Sequence, residues 1–363
     1  MKFQCSLSVL REAVQMLAPV CPLRTTLPIL SNVLIRAEQG ELALMGTDLD
    51  VSMRTTIAAE VSKTGETTVP VRFLLDAVRR MSAENISVSV DDLNVMTLRA
   101  GDKVQCSLRG MAPVDFPRFP KIEAADSVQL PVKELNSMLR ATSYAVSRDE
   151  TRYVLNGVCF NFAEHFDVVA TDGRRLAKYT NAGIKRDEPR QIVVPSKSIT
   201  QLLQMLTGEG MADLRFSATQ MEVTVNQTKL VTRLVDGHYP NYTQVIPKSC
   251  QHVIVLNRRA FTNALGLASV VTEKTKQPVI RITLAQQRMT ISATTAEIGD
   301  AKDILEVKYA GDDMEMAFNP TFLTECCQST DAEEIMFEVT NAASPIVLRV
   351  GDAFLCVVMP MRL

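Results

Sequence analysis

Three prolines stand at equal intervals along the chain: Pro70, Pro195 and Pro320, each 125 residues from the next. Each follows an apolar, strand-like run and leads into a run with helical periodicity: "TTVPVRFLLDAVRRM", "QIVVPSKSITQLLQML" and "MAFNPTFLTECC". Proline suits the first turn of a helix, where its fixed φ is already helical and its missing N–H has no partner to lose. A period of this length is too long for a solenoid repeat and is the size of a domain. The 363 residues are therefore one structural unit stated three times.

The remaining segments keep the same step. "FQCSLSVLREAVQML", "VQLPVKELNSMLRAT" and "HVIVLNRRAFTNALGLA" each give a short strand and then an amphipathic helix. "LSNVLIRAEQGELALMGTDLDVSMRT" and "LNGVCFNFAEHFDVVATDGRRLAKYT" both read as strand, turn, strand, a Thr-Asp turn and a further strand, with "VIRITLAQQRMTISATT" a weaker third copy. Alternating strands close each unit. The expected fold is α+β, with three similar domains of two helices and two antiparallel sheets each. The polar, proline-containing stretches "FPRFPKIEAADS" and "YTQVIPKSCQH" set expected boundaries of 1–125, 126–249 and 250–363.

Composition removes several classes of function. No apolar run reaches the ~18 residues that a membrane span needs. Arg11 and Glu12 interrupt the stretch where a signal peptide would be apolar, so a cytoplasmic protein is expected. The eight cysteines form no C-x-x-C pair, and none of the three histidines has zinc-finger spacing. The thiols read as reduced, buried small hydrophobes, the vicinal Cys326 and Cys327 included. No phosphate-binding, dinucleotide-binding, nucleophile-elbow or metalloprotease motif occurs. Asp48, Asp50 and Asp172 fall at strand turns, where Asp is an ordinary turn residue. No catalytic residue, metal or cofactor is expected. A metal-dependent nucleic-acid enzyme built on those three aspartates, and a peptide-binding scaffold that never touches DNA, are the alternatives.

Charge is unevenly distributed. The six expected helices, 7–18, 72–82, 132–146, 197–207, 257–271 and 320–329, hold nine bases and four acids. Their net +5 leaves −7 for the rest of a chain whose total is −2. In 72–82, Phe73, Leu74, Ala77, Val78 and Met81 form an apolar face, with Arg72, Asp76, Arg79 and Arg80 opposite. Lys133 and Arg140 share the polar side of the third helix. Six such helices on one side of the molecule would make a positive surface suited to a phosphate backbone, although "PTFLTECCQS" contributes no base.

"TLPILSNVLIRAEQGELALMGTDLDVSM", "RYVLNGVCF", "VATDGRRLA", "LVDGHYPNY" and the closing "VVMPMRL" closely resemble the β subunit of bacterial DNA polymerase III, the sliding-clamp family. The resemblance runs through all three repeats, and the TDG-R-R-L and MPMRL motifs are specific to it. It implies a head-to-tail homodimer closed into a ring, with helices lining the hole and sheets outside. It also implies a non-catalytic processivity factor that encircles duplex DNA without regard to sequence. Partners implied are the replicative polymerase, the clamp loader and repair proteins, each presenting a short peptide with a Gln and bulky apolar residues.

Carried over position by position, the peptide pocket is Leu155, Thr171, Gly173, Arg174, Arg175, Leu176, Pro240, Val245, Pro345, Val357, Met359, Pro360, Met361 and Arg362. DNA contact carries onto Arg24, Arg72, Tyr153 and Lys197. The helix bases Arg79, Arg80, Lys133 and Arg140 are added from the charge pattern, with Arg148 and Arg152 as substitutes for a family Gln that is Asp149 here. The ring-closing surface includes Cys106 and Leu108 on one side and Val270 and Val271 on the other. Arg174, at a position that is His in some relatives, and Gln244, where Arg is often found, depart from the family pattern at the pocket rim. Cys106 is smaller than the aromatic residue of some relatives.

Overall fold

The computed structural model describes residues 1–123 and 126–362. Ala125, the expected end of the first repeat, and Leu363 lie outside the described residues. Six α-helices occur among the described residues: α1 (Leu7–Leu17), α2 (Val71–Arg80), α3 (Val132–Thr142), α4 (Ser196–Met205), α5 (Arg258–Thr272) and α6 (Pro320–Gln328). Each repeat runs strand, helix, three strands, a strand leading into the second helix, and three more strands. The first repeat adds the short strand Glu60–Lys63.

Neighbouring repeats pool their strands. One eight-stranded antiparallel sheet runs, edge to edge, through Asp126–Pro131, Met211–Phe216, Gln220–Val225, Thr228–Arg233, Val51–Ala58, Glu41–Thr47, Asn32–Glu38 and Gly65–Pro70. Its seam joins repeats one and two, with Leu230 opposite Met53. The second eight-stranded sheet runs through Arg190–Pro195, Gly157–Phe162, Phe166–Thr171, Arg175–Asn181, Phe354–Val358, Ile346–Val350, Glu334–Val339 and His252–Asn257. Its seam joins repeats two and three, with Leu176 opposite Val357. A five-stranded sheet ends on Val104–Arg109, and a four-stranded sheet ends on Gly299–Glu306.

Compactness therefore divides the chain differently from the repeats. Met1–Asn136 with Lys197–Leu234 makes one unit, and Ser137–Ser196 with Val235–Leu363 makes the other. Strand ladders are dense in buried backbone hydrogen bonds, so the division spares both seams and cuts the second repeat instead, within α3 and at the start of α4.

Strand periodicity places the core. Leu42 and Leu44 alternate with outward residues and are buried, as are Ile254 and Leu256. Helix faces cover these surfaces, with Leu10, Val14 and Leu17 on α1 and Leu74 and Val78 on α2 fully buried. Three sequence expectations are corrected. Phe73 leaves the apolar face of α2 and is 61% exposed, because the buried stripe runs through 71, 74 and 78. The third helix stops at Thr142, whose φ of −121° breaks the helix and whose Oγ1 donates back to the Met138 carbonyl at 2.8 Å, and a 3-10 turn follows over Ser143–Ala145. Pro320 does open its helix, but Pro70 is the cap before α2, and Pro195 is the last residue of its strand. No helix among the described residues is long and apolar enough to cross a membrane.

All eight cysteines are free thiols; Cys106 and Cys250 are partly exposed and the other six are buried. Burial pushes the thiols of Cys5, Cys21 and Cys327 up to about 12, which removes the reactive thiolate at neutral pH. A disulfide-exchange reagent at pH 8 is expected to label at most Cys106 and Cys250 in the native protein, with six further equivalents appearing only in denaturant. Native labelling of Cys326 or Cys327 would show that helix α6 opens.

Candidate functional site

Both Thr-Asp turns have the same construction. Thr171 Oγ1 donates to the Arg175 carbonyl at 2.6 Å and accepts from Gly173 N at 3.1 Å. Asp172 Oδ1 accepts from the amides of Arg174 and Arg175 at 2.9 and 3.0 Å. Thr47 and Asp48 repeat the pattern around Leu49 and Val51. The central residue has positive φ in each, +84° at Gly173 and +80° at Leu49, a conformation that glycine adopts without strain. The second oxygen of Asp172 takes Arg175 Nε at 3.2 Å, and that of Asp48 takes Lys197. These carboxylates are committed to turns and ion pairs. Among the described residues no group of three or more His, Cys, Asp or Glu side chains is placed to hold a metal ion.

After the second turn, successive side chains go to opposite faces. On the face of Leu176, a row crosses four strands: Thr171, Leu176, Val357 and Val347 stand side by side in register. Leu155, Leu176 and Val357 share one buried cluster with Cys159, Val169, Tyr239, Tyr242 and Val347. Tyr239 fixes the covering segment: its hydroxyl oxygen accepts from the Thr171 amide at 3.0 Å. Pro240 follows Tyr239 on the exposed side, and Val245 is exposed just before Ile246, which packs on the cluster. The Met359 amide donates to the Arg174 carbonyl at 2.9 Å, and the Met361 amide to the Ala317 carbonyl at 2.7 Å. Met359 remains 42% exposed. Pro345, Pro360 and Met361 are half-buried, while Gly173, Arg174 and Arg362 are exposed. Val347, Tyr239 and Tyr242 were missed from the sequence; the strand register opposite Val357 is the signal that finds Val347.

Arg175 departs from the expected pocket. It faces the other side of the sheet, nearly buried, with its guanidinium paired to Asp172 and Glu325. It also donates to the Tyr144 carbonyl at 2.7 Å and lies 5.1 and 4.6 Å from the ring centroids of Tyr144 and Phe322. The terminal strand Phe354–Val358 is central in its sheet, because the second repeat supplies its other neighbour.

The expected DNA-facing residues divide by their partners. Arg24, Arg72, Arg79, Arg80, Arg148 and Tyr153 are each exposed. Lys133 pairs with Glu209 at 2.7 Å and Lys197 with Asp48. Arg140 is exposed at the end of α3. Arg152 is exposed but engaged, by Asp149 Oδ2 at 3.0 Å and the Asp172 carbonyl at 2.8 Å, so it does not stand in as a free cation. Asp149 caps the following turn, and hydrogen bonds from Thr151 hold its carboxyl below the ordinary carboxylate range. Among the helix bases, Arg258 also serves the fold, donating to the carbonyls of Ala332 and Cys327.

Of the expected ring-closing residues, Cys106 and Leu108 are half-buried on the edge strand Val104–Arg109. Val270 is 61% exposed. Val271 is only 7% exposed and belongs to the core under α5, a consequence of the 100° turn between neighbouring helical residues.

Removing one partner of a buried, hydrogen-bonded ion pair costs about 3–5 kcal/mol, whereas a surface change stays within about 0.5 kcal/mol. Arg175→Ala is therefore expected to lower the urea midpoint of unfolding strongly and Arg174→Ala hardly at all. Similar midpoints for the two would remove Arg175 from its supporting role.

The DNA polymerase III beta subunit families match the chain in three parts: the N-terminal domain over residues 1–120, the central domain over 129–241 and the C-terminal domain over 243–362. The beta sliding clamp of Chlamydia muridarum is 30% identical over 100% of this chain and 99% of its own length. That of Pseudomonas putida is 30% identical over 100% of both chains. The crystal structure of the DNA polymerase III subunit beta from Pseudomonas aeruginosa superposes with a TM-score of 0.92 at 29% identity, covering 100% of both chains. A sliding clamp from Bartonella birtlesii, bound to griselimycin, does so with 0.94 at 28% identity, again over 100% of both. With all three domains matched and a full-length relative at this identity, the chain belongs to the beta sliding clamp family, the beta subunit of DNA polymerase III.

Proposed function

We propose that the protein is a processivity clamp: two copies close head to tail around duplex DNA and tether the replicative polymerase, the clamp loader and repair proteins through short peptides. It catalyses nothing itself and works in the cytoplasm, where the DNA is. The three repeats act as clamp domains near 1–125, 126–249 and 250–363. The observation that carries this reading is the single apolar row Thr171, Leu176, Val357 and Val347, which brings the second and third repeats together beside the exposed Met359.

A peptide with bulky apolar side chains would lie beside the buried row, against the exposed Met359 and Val245, with Pro240, Pro360 and Met361 as further walls. Methionine walls repack around different partners. A Gln in the peptide would take its hydrogen bonds at the polar rim, where Arg174, Gln244 and Arg362 are exposed. Because Arg174 and Gln244 depart from the family pattern, partner preference is set by this rim.

For DNA, the exposed guanidiniums Arg24, Arg72, Arg79, Arg80 and Arg148 supply mobile contacts to phosphates without base recognition. Such contacts fade steeply with salt, but a closed ring is held by topology and only needs contacts weak enough to slide. The edge strands Val104–Arg109 and Gly299–Glu306 each have one unpaired side, and pairing one with the other from a second copy would close the ring through Cys106, Leu108 and Val270. Two of the three carboxylates of the competing enzyme reading, Asp48 and Asp172, are held by their turns and ion pairs, which leaves Asp50, 3.8 Å from Arg233, without a second free carboxylate of the three to share a metal.

In solution the mass is expected to be about twice the 40.1 kDa of the chain. A loaded ring should resist high salt on circular DNA and run off the same DNA linearised; equal loss from both would sink the clamp reading. Deleting residues 359–363 removes two apolar walls, each contributing about 1.5–3 kcal/mol, so a Gln-plus-apolar peptide should bind at least roughly a hundredfold more weakly. The deletion also removes the Met359 and Met361 backbone bonds, so some loss of thermal stability accompanies it. A truncated, folded dimer that binds the peptide as tightly as the full chain would overturn the pocket assignment.

A further inference from the structure

The first repeat contains a counterpart of the region beside the peptide row, and it differs in a way that has chemical content. In the second repeat, Cys159, Val169 and Lys178 stand side by side across three strands, and Asn161 faces Asp167 in the next row. Tyr239 and Tyr242 of the covering segment pack on this surface. Asp167 is its hub: it takes Lys178 at 3.4 Å, Thr180 Oγ1 at 2.6 Å and the Tyr242 hydroxyl at 3.0 Å. The cation is thus neutralised from within.

In the first repeat the matching row is Leu34, Met45 and Arg54, and Arg36 faces Ala43. The covering segment reads Phe116-Pro117-Arg118-Phe119 where the other reads Tyr239-Pro240-Asn241-Tyr242. The cation is kept, as Arg54, while its carboxylate has become Ala43 and both tyrosines have become phenylalanines. Phe116 and Met45 are buried together, with Leu34 and Phe119 packed against them. Over them lies a hollow of about 420 Å³. Arg54 and Arg118 line it, both exposed and neither with an acidic partner among the described residues. Arg36 is already matched, by Glu66 at 2.9 Å. Val114, 84% exposed, extends the apolar surface at the rim.

We propose that this hollow is a second peptide-docking site, for a partner segment that combines an aspartate or glutamate with a bulky apolar side chain. The partner's carboxylate takes the place that Asp167 fills in the second repeat, paired with Arg54 and Arg118. Its apolar side chain rests on Leu34, Met45 and Phe119. The charge of the lining selects the occupant: three arginines against the single Glu66 favour an acidic segment and disfavour a basic one. The site lies wholly within the first compact unit and does not depend on the pocket proposed above.

The test uses the full-length protein and a fluorescent synthetic peptide carrying two aspartates around a Leu-Phe pair, followed by anisotropy at low salt. A control peptide has asparagine for both aspartates. Three variants are compared: Arg54→Glu, Arg118→Glu, and Ala43→Asp, which installs the carboxylate found in the second repeat. Arg54 and Arg118 are exposed, so those variants are expected to fold, and circular dichroism and solution mass verify it. The aspartate peptide should bind the unaltered protein, at least tenfold more tightly than the asparagine peptide. Arg54→Glu and Ala43→Asp should each weaken it about tenfold or more, one such factor being 1.4 kcal/mol, and an unlabelled Gln-plus-apolar peptide should not displace it. No binding by the unaltered protein, equal binding by folded Arg54→Glu and Arg118→Glu variants, or displacement by the Gln-plus-apolar peptide would each overturn the proposal.

Discussion

The antiparallel seams between repeats are the constraint on which everything else depends. Strand Arg175–Asn181 has its own hairpin partner on one side and Phe354–Val358 on the other. Without that second neighbour, Leu176 would have no Val357 beside it, and the apolar row would end at a raw sheet edge. An exposed edge of this kind pairs with whatever strand it meets. The fold answers by covering it with a strand from the next repeat. The same solution joins Val51–Ala58 to Thr228–Arg233.

Arg175 shows how such a seam tolerates charge. A guanidinium beneath a sheet is acceptable only when its donors are satisfied. Here two carboxylates and a carbonyl receive them, with two aromatic rings alongside. Its neighbour Arg174 stands in the turn before the strand and is exposed. Two adjacent residues of one kind thus have unrelated roles, decided by where the turn ends and the strand begins.

The repeat, the six helices and the strand order within each repeat were legible in the sequence because all three copies state them. The seams were not, since pairing between strands from different repeats leaves no local signal. That is why the closing strand's second neighbour cannot be read locally, and why compactness cuts through the second repeat. Phe73 and Val271 were misplaced for a related reason: one helical step changes burial, and composition does not fix phase. The charge pattern was legible only as a sum. Lys133, Lys197 and Arg258 count as helix bases in the sequence, but acids or carbonyls from distant segments take up their charge or their donors.

The seams also impose a schedule on synthesis. Strand Arg175–Asn181 leaves the ribosome about 170 residues before Phe354–Val358, which at roughly 5–20 residues per second is a wait of about 9–35 s. During that time a long, apolar, hydrogen-bonding edge is exposed on the nascent chain. The first seam, from Val51–Ala58 to Thr228–Arg233, imposes a similar delay. Two nascent chains held close together on one messenger could satisfy each other's edges instead of their own, producing interlocked pairs that no later equilibration of a stable sheet would easily undo. The repeat that makes this architecture simple to encode therefore makes the order of translation part of its folding problem.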